Sequence, residues 1–184
     1  EELYRTIFEQ TATANMILAE DTTVLMVNSN FEKLTGYSRQ EVENKMSWMK
    51  FVAADEVETL LQRHRLRRIH PDSVSNSYEF KAINRAGAIR HLFMSVAMIP
   101  DTKNSIASLI DITTRKETEN ALRQSEERFR DMARLLPQTV FEADLTGRLT
   151  FVNETSFERF GFSREDMAAG LNVLDVMAPE DHSR

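Results

Sequence analysis

The chain has 184 residues, of which 41% are hydrophobic and 28% are charged, and its formal net charge is −6 at pH 7. This composition is typical of a folded globular protein rather than a disordered one, and the negative charge disfavours nucleic acid as a partner, because that binding depends on Lys and Arg at phosphates. The chain has no cysteine, which excludes disulfides, thiolate metal sites and cysteine nucleophiles and is consistent with a reducing compartment. No apolar run reaches the roughly 20 residues of a membrane-spanning helix, and no signal peptide is visible, so we expect a cytoplasmic location.

Two stretches of the chain repeat the same pattern of residue types. Residues 24–42 read VLMVNSNFEKLTGYSRQEV and residues 149–167 read LTFVNETSFERFGFSREDM, so that Asn28 recurs as Asn153. A repeat of this kind indicates two copies of one structural unit. The second copy stops well before the point at which the first one finishes, so we expect residues 137–184 to form an incomplete unit with an open sheet edge.

The first copy begins with a predicted β-hairpin and two short helices. Apolar runs at residues 16–18 and 24–27 flank a polar turn, which is typical of a hairpin. Asn28 follows the second run, where its side chain can begin a helix, and Gly36 lies where that helix would end in a left-handed residue. Ser38 then begins a capping box for the next helix. The second copy carries the same three signals, at Asn153, Gly161 and Ser163.

The rest of the first copy predicts one longer helix and three strands. Residues 55–68 have the helical spacing of apolar side chains, with Val57, Leu60 and Leu61 on a side that His64 could share, and Pro71 ends that pattern. Residues 78–83, 90–99 and 105–112 are separated by short polar turns, and they predict three strands joined as hairpins. Two strands, several short helices and three strands in this order indicate an α+β fold with antiparallel pairing.

Residues 114–136 predict a helix between the two copies. The segment has no Gly or Pro, is rich in Glu, Arg and Ala, and opens with a capping-box pattern at Thr114. Part of it has the 3-4-3-4 rhythm of a coiled-coil seam. This helix either pairs with its copy in a homodimer, as a signalling helix, or packs on its own domain as a connector. The seam positions are Leu122, Ser125, Phe129, Met132 and Leu136.

Short motifs follow one another along the first copy in a fixed order. They are Val27-Asn28 with Phe31, LTGYS at residues 34–38, Glu79-Phe80 with RAG at residues 85–87, and DIT at residues 111–113 with Arg115-Lys116. In this order they resemble the PAS domain, a sensory module common in prokaryotic signalling proteins. The resemblance covers residues 1–116. In carrying two copies, the chain also resembles the tandem PAS sensor regions of bacterial and archaeal histidine kinases.

The resemblance implies a fold and a division into domains. The PAS fold is a five-stranded antiparallel sheet with short helices on one face and a small pocket between helices and sheet. The chain would then comprise a PAS sensor domain at residues 1–113, an amphipathic signalling helix at 114–136 and the N-terminal part of a second, truncated PAS domain at 137–184.

The candidate ligand pocket follows from this fold and from the alternation of side chains along the strands. Aromatic and methionine side chains with a few polar groups suit a small ligand. A domain of this size also needs such residues to fill its core, so both interpretations stay open. The candidates are Trp48, Met49 and Phe51 between the helices, Tyr78, Phe80 and Asn84 on one strand and its end, and Leu92, Met94 and Val96 on the next.

The sequence limits which cofactors the chain could hold. None of the four histidines has the spacing of a metal site, so we expect no metal. In haem-binding relatives the helix that contains His64 holds the axial ligand, but His64 is displaced from the usual position, and a histidine at the surface or helix edge is expected instead. The flavin adduct of light-sensing members of the PAS family forms on a cysteine. This chain has no cysteine, so that adduct is not expected, whereas loosely held flavin stays open. The identity of the cofactor therefore stays open, as does whether the chain has one. The basic residues 63–68 could bind phosphate or nucleic acid, but a solvated helix face is expected instead.

No catalytic constellation stands out in the sequence. It has no Gly-rich phosphate loop, no G-x-S-x-G motif and no cluster of carboxylates with histidine, so we expect no enzyme activity in this chain. The resemblance implies instead a sensory and signal-relay module of a two-component sensor histidine kinase, with a small ligand or a partner contact as its cue.

The end of the last strand is the expected relay point. Asp111 can bond local backbone while Thr113 or Thr114 caps the helix, which would tie the sheet to the helix. The expected partners are a second copy of the chain, through the linker helix and PAS surfaces, and a downstream kinase domain of the parent chain. Two alternatives stay open: a ligand-free dimerisation or spacer module, and the sensor region of another output protein such as a diguanylate cyclase.

Overall fold

The computed structural model describes residues 2–177, apart from the side chains of Tyr4 and Asp72. These residues divide into two compact units, one up to Glu117 and one from Thr118. The boundary between the units lies inside one long helix, Thr113–Leu135. The predictions that concern residues 178–184, including His182, lie outside the described residues. The division of the chain at residues 113 and 136 stays a prediction.

The sheet of the first unit consists of five strands. They are β1 (Ala14–Leu18), β2 (Val24–Val27), β3 (Ser77–Ile83), β4 (Ile89–Met98) and β5 (Ser105–Asp111). Their order in the sheet is β2-β1-β5-β4-β3, and every neighbouring pair is antiparallel. The predicted α+β class and five-stranded antiparallel sheet are confirmed. The first and last strands of the unit, β1 and β5, pair with each other at the centre of the sheet. The sheet is therefore complete before the long helix begins.

Short helices supply the second layer of the first unit. They are α1 (Glu2–Gln10), α2 (Ser29–Thr35), α3 (Arg39–Val42), a 3-10 turn (Trp48–Phe51) and α4 (Val57–Ile69). The core forms where apolar helix residues meet the alternating buried residues of the strands, and Phe31 and Val42 are completely buried there. The Phe51 ring packs edge-on against Phe31 at 5.4 Å and against Tyr37 at 5.3 Å between ring centroids, which is a favourable geometry for aromatic pairs.

The predicted helix caps are confirmed in both copies. Asn28 accepts a hydrogen bond from the Phe31 N–H and begins α2, while Gly36 ends that helix with a φ of 77°. The second copy repeats this cap with Asn153 and with Gly161, whose φ is 73°. Since the left-handed region costs a residue with a Cβ on the order of 1–2 kcal/mol, glycine at these two positions fits the chain reversal that each helix end requires.

The two repeated asparagines also hold the helix that precedes each copy. The Asn28 side chain, which is completely buried, donates to the Phe8 carbonyl of α1 at 3.1 Å and to the Thr13 carbonyl at 2.9 Å. The Asn153 side chain donates in the same way to Ala133 at 2.9 Å and to Gln138 at 2.7 Å. The repeat therefore extends upstream of the matching sequence stretches, because the end of α1 corresponds to the end of the long helix.

The second unit contains the long helix and a small α/β segment. Its elements are α5 (Thr113–Leu135, shared with the first unit), β6 (Phe141–Ala143), β7 (Leu149–Val152), α6 (Glu154–Phe160) and α7 (Arg164–Ala169). The two strands pair antiparallel, and the apolar side chains of Phe141 and Phe160 are about half exposed. The incompleteness of this copy stays a prediction, as does the coiled-coil seam, of which Leu122, Phe129, Met132 and Leu136 are exposed in the single chain.

Candidate ligand cavity and its connection to the linker helix

A cavity of about 40 Å³ lies between the sheet and the helices of the first unit. One water needs on the order of 10–15 Å³ of such space, so the cavity has room for about three waters or for a molecule of similar size. Pockets for drug-sized ligands are several-fold larger, at about 300 Å³ and above. The cavity is therefore suited only to a very small occupant.

Eight of the nine predicted pocket residues line this cavity. Met49 does not, and it packs instead, partly buried, against the edge of the core. The reason is the 3-10 turn in which it lies: residues three apart share a face of such a turn, so Trp48 and Phe51 point into the cavity and Met49 points elsewhere. The residues that do line the cavity are Trp48, Phe51, Tyr78, Phe80, Asn84, Leu92, Met94 and Val96.

Two basic side chains of α4 also line the cavity, although the sequence predicted that they would be solvated. His64 is 5% exposed and Arg67 is 3% exposed. The prediction of a surface or helix-edge histidine was wrong, and the solvated face predicted for residues 63–68 holds for the exposed Arg65 but fails at Arg67. Leu60, His64 and Arg67 lie at the i, i+4, i+7 positions of one buried helix face. The spacing in the sequence already allowed His64 on this face, but the prediction did not extend to Arg67.

The surroundings of His64 favour the neutral form of its imidazole. Its Nε2–H donates to the Glu20 carbonyl at 3.1 Å, and its ring lies 5.5 Å from the Trp48 ring between centroids. Burial lowers the pKa of His64 below its usual range, and the positive charges of Arg68 and Arg67 lower it further. A carbonyl can only accept a hydrogen bond, so the Nε2 nitrogen must carry the proton of the neutral ring.

The pKa of His64 predicts how the stability of the first unit depends on pH. The unfolded chain takes up a proton on His64 near its ordinary pKa of about 6.5, whereas the folded chain does so only at lower pH. The free energy of unfolding is therefore expected to fall as the pH is lowered from about 7 to about 5.5, by at most about 1.4 kcal/mol per pH unit. Urea unfolding at several pH values measures this slope.

The His64 prediction has a matched control on the same helix. His64→Asn should flatten the slope over this pH range, because it removes the buried titrating group, while His70→Asn removes an exposed histidine at the end of α4. If both variants flattened the pH dependence of the free energy of unfolding equally, or if His64→Asn did not flatten it, that dependence would come from other groups.

Two buried N–H groups at the cavity have no hydrogen-bond partner. They are Nε1 of Trp48 and Nε of Arg67. The Arg67 side chain donates a hydrogen bond through Nη2 to the Ser75 carbonyl at 2.9 Å. Its guanidinium also lies close to the Tyr78 hydroxyl: burial raises the pKa of that phenol, and Arg67 lowers it. Buried donors are nearly always satisfied in folded proteins, so a pair of them at one cavity is an unusual feature of its walls.

The wall formed by β4 connects the cavity to the beginning of α5. Arg90 lines the cavity, and its Nη1 lies 3.7 Å from Oδ2 of Asp111. The other carboxylate oxygen of Asp111 accepts the Thr113 N–H at 2.9 Å, which is the local backbone bond that the sequence predicted for Asp111. The Thr113 hydroxyl accepts the His91 N–H of β4 at 2.9 Å, so it binds a strand rather than capping the helix. Thr114 lies in the first turn of α5.

The wall formed by β3 is also bound to the first turn of α5. The Glu79 carboxylate forms two ion pairs with that turn. Its Oε1 lies 2.9 Å from Nη2 of Arg115, and its Oε2 lies 2.6 Å from Nζ of Lys116. Tyr78, the preceding residue of β3, lines the cavity on the opposite face of the strand. A displacement of either strand would therefore change both the shape of the cavity and the contacts of the first turn of α5.

Matches to family models identify the family of this chain. A five-stranded antiparallel sheet with helices over one face and a cavity between them defines a compact α+β domain. A family model described as "PAS fold" matches residues 2–110, and one described as "PAS domain" matches residues 127–183. The chain belongs to the PAS domain family. No match was found among curated proteins.

Solved structures of bacterial proteins are similar to this chain in fold at low sequence identity. The PAS domain of a Colwellia psychrerythraea protein matches with a TM-score of 0.54 and 13% identity, over 61% of this chain and 97% of that one. A sensory box histidine kinase/response regulator from Burkholderia thailandensis matches with a TM-score of 0.54 and 19% identity, over 70% and 98%. A domain of a sensory box sensor histidine kinase/response regulator from Geobacter sulfurreducens matches with a TM-score of 0.50 and 20% identity, over 60% and 92%.

The described part of the chain contains neither a metal-site cluster nor a membrane-spanning helix. Among the side chains that the structure describes, no group of three or more His, Asp or Glu is placed to hold a metal ion. In the same part of the chain, no helix combines the length and the apolar character needed to cross a membrane.

Proposed function

We propose that this chain is the sensory and signal-relay region of a two-component sensor histidine kinase. One observation carries the proposal: β3 and β4, which form a wall of the cavity, are the same strands that bind the first turn of α5. The first unit would respond to a small ligand or to contact with a partner, and α5 would transmit the response. The function is thus a change of conformation on binding, without catalytic turnover by this chain.

The relay is expected to work as a shift between two arrangements of the strand wall. A bound molecule stabilises whichever arrangement it fits better, and it can shift the equilibrium only by its difference in affinity for the two. Arg90 contacts both the cavity and Asp111, so movement of its side chain changes the bonding at the N-terminus of α5. The helix then carries the change beyond the first unit as a rotation or displacement of its axis.

The output and the dimer are the finer parts of the proposal. Two of the compared domains come from proteins described as sensory box histidine kinases, which supports a kinase domain of the parent chain, in the cytoplasm, as the recipient of the signal. The exposed apolar side chains of Leu122, Phe129 and Met132 on α5 support pairing with a second copy, because such a stripe is stabilised when it is buried in a coiled coil.

A spacer and dimerisation module that senses nothing is the second candidate. The small volume of the cavity, about 40 Å³, favours this candidate, because a nearly filled core leaves little room for a cue. An output other than a kinase, such as a diguanylate cyclase, would use the same relay through α5. The junction between β5 and α5 discriminates between relay and spacer.

Asp111→Ala in the parent kinase tests the relay. The substitution removes both the bond to the Thr113 N–H and the contact with Arg90, so we expect the basal rate of autophosphorylation to change at least about threefold, which corresponds to a shift of roughly 0.7 kcal/mol between the two states. The control is Asp55→Ala, which removes an exposed carboxylate that pairs with Lys81 of β3. An Asp111→Ala kinase with unchanged output and a normally folded first unit would favour the spacer.

A further inference from the structure

We propose that the cavity binds a small planar oxyanion, with one negative charge and three or four non-hydrogen atoms, through the guanidinium of Arg67. The inference deepens the proposed sensory function, on which it rests, by giving the chemical class of the cue. It is carried by a buried positive charge that forms no ion pair with any described side chain, and by two donors at the same cavity, Nε of Arg67 and Nε1 of Trp48, that lack acceptors.

Arg67 is the positive charge that requires an explanation. A guanidinium stays protonated in proteins, and burying a charge is costly unless it is paired and fully hydrogen-bonded. The Arg67 side chain is 3% exposed, its Nε has no partner, and its Nη2 is bonded to a neutral carbonyl. Among the described side chains, which within residues 2–177 are all except those of Tyr4 and Asp72, no ion pair includes Arg67. An anion in the cavity would supply the missing charge and the missing acceptor together.

The unpartnered indole N–H of Trp48 is the second, independent observation. Trp48 is 6% exposed, it lines the same cavity, and its Nε1 has no acceptor. An indole nitrogen can only donate, so the missing partner must again be an acceptor. His64 cannot provide it through Nε2, because that nitrogen donates to the Glu20 carbonyl.

The charges around α4 favour an anion over a cation or a neutral polar molecule. The cavity wall contains Arg67 and Arg90 and no carboxylate among the described residues. The Arg63 guanidinium lies 4.4 Å above the centre of the Tyr78 ring, and Arg68 is partly buried, with bonds to the carbonyls of His64 and Lys103. Cations concentrated around an apolar cavity create a positive potential inside it.

The size of the cavity limits which anion fits. A volume of about 40 Å³ corresponds to about three waters, which is the size of acetate or nitrate and too small for an aromatic or sugar acid. A planar oxyanion also matches the planar fork of a guanidinium, which can donate to two oxygens side by side. These constraints together give a compact carboxylate or a nitrate-like ion.

Titrations of the purified 184-residue chain test this inference. Trp48 is the single tryptophan of the chain, so its fluorescence reports directly on the cavity. Sodium acetate and sodium nitrate are added at constant ionic strength against sodium chloride, and acetamide serves as the neutral analogue of acetate. We expect a saturable response and a rise in Tm with acetate or nitrate, and neither with chloride or acetamide. The nitrate arm is followed by Tm and calorimetry, because nitrate absorbs ultraviolet light.

Matched variants assign the binding to Arg67. Arg67→Met keeps the length of the side chain without its charge, and we expect it to weaken binding at least tenfold, while Arg65→Met changes an exposed arginine of the same helix and should bind as the wild type does. If Arg67→Met fails to fold, Arg67→Lys keeps a charge without the planar fork and should still weaken binding several-fold. The absence of saturable binding of acetate or nitrate to the folded wild type would overturn the inference, as would equal binding of acetamide or unchanged binding by the Arg67 variants.

The outcome for the oxyanion and the outcome for the relay can be told apart. Binding that depends on Arg67 but leaves the parent kinase unaffected would uphold the anion site and contradict the sensory function. A kinase that responds to Asp111→Ala while the chain binds no small oxyanion would uphold the relay and contradict the anion site.

Discussion

Replacing Asn28 by alanine is expected to lower the free energy of unfolding of the first unit by about 3 kcal/mol or more, because each buried donor or acceptor left unpaired costs about 1–3 kcal/mol. The Asn28 amide oxygen accepts the Asn15 N–H at 2.9 Å and the Phe31 N–H at 3.0 Å, and its nitrogen donates to the carbonyls of Phe8 and Thr13. The side chain is completely buried, so water cannot replace these bonds. Urea unfolding followed by Trp48 fluorescence measures the first unit alone.

The control for this prediction is the neighbouring Asn30. Its side chain is partly buried and donates one hydrogen bond, to the Thr11 carbonyl at 2.7 Å, so Asn30→Ala should cost about 1 kcal/mol, the net value of a single bond. A loss of less than about 1 kcal/mol in Asn28→Ala would mean that the surrounding backbone groups rearrange to find other partners.

Local signals predicted the hairpins and caps because their causes lie within a few residues. An Asn that accepts from the N–H three positions later, or a Gly that reverses the chain at a helix end, is decided by the backbone next to it. The partners of Asn28 in α1 lie about 20 positions upstream. Such a bond depends on how the whole unit folds, and neither it nor α1 itself was predicted.

Burial of charge was the main failure of prediction at the site. A basic run at the end of a helix is usually solvated, and Arg65 conforms to that rule. Arg67 does not, because β3 packs over its face of α4 and Tyr78 lies close enough for Arg67 to affect the pKa of the phenol, which burial raises. The opposing strand begins only ten residues later, at Ser77, but its position over α4 depends on how the whole sheet folds. Only the i, i+4, i+7 spacing from Leu60 could have indicated that this arginine points inward.

The existence and size of the cavity could not be predicted at all. The same residues, such as Phe51, Phe80 and Leu92, would line a cavity or fill a core. The difference depends on side-chain displacements smaller than the width of a methyl group. The sequence did predict most of the residues that meet there, because alternation along a strand fixes which side chains face inward. Met49 shows the limit of that reasoning in a 3-10 turn, where alternation does not apply.

The second repeated asparagine holds the other end of α5. Asn153 donates to the carbonyl of Ala133 in the last turn of that helix, and Ala133 is 2% exposed. The last four carbonyls of a helix have no partner within the helix, so the Asn153 amide satisfies one of them from outside. The beginning of α5 is bound by Asp111 and Glu79 in the first unit, and its end by Asn153 in the second.

Asn153→Ala is therefore expected to release the end of α5 while leaving the first unit unchanged. Loss of the bonds to Ala133 and Gln138 should cost about 2 kcal/mol locally, so the amides of the last turn should exchange with solvent about 30-fold faster. Hydrogen exchange measured by mass spectrometry reports this region, and Trp48 fluorescence should show an unchanged unfolding transition for the first unit.

Asn172→Ala is the matched control in the second unit, because Asn172 donates to the Thr146 carbonyl and caps the short turn Val173–Val176, not α5. It should leave exchange at the end of α5 at the wild-type rate. A relay through α5 needs both of its ends to be held, since a helix that is free at one end can move without changing the unit beyond it. If exchange at the last turn were the same in Asn153→Ala as in the wild type, burial of Ala133 alone would hold the helix. The asparagine would then contribute to the fold of the second unit but not to the transmission of a signal.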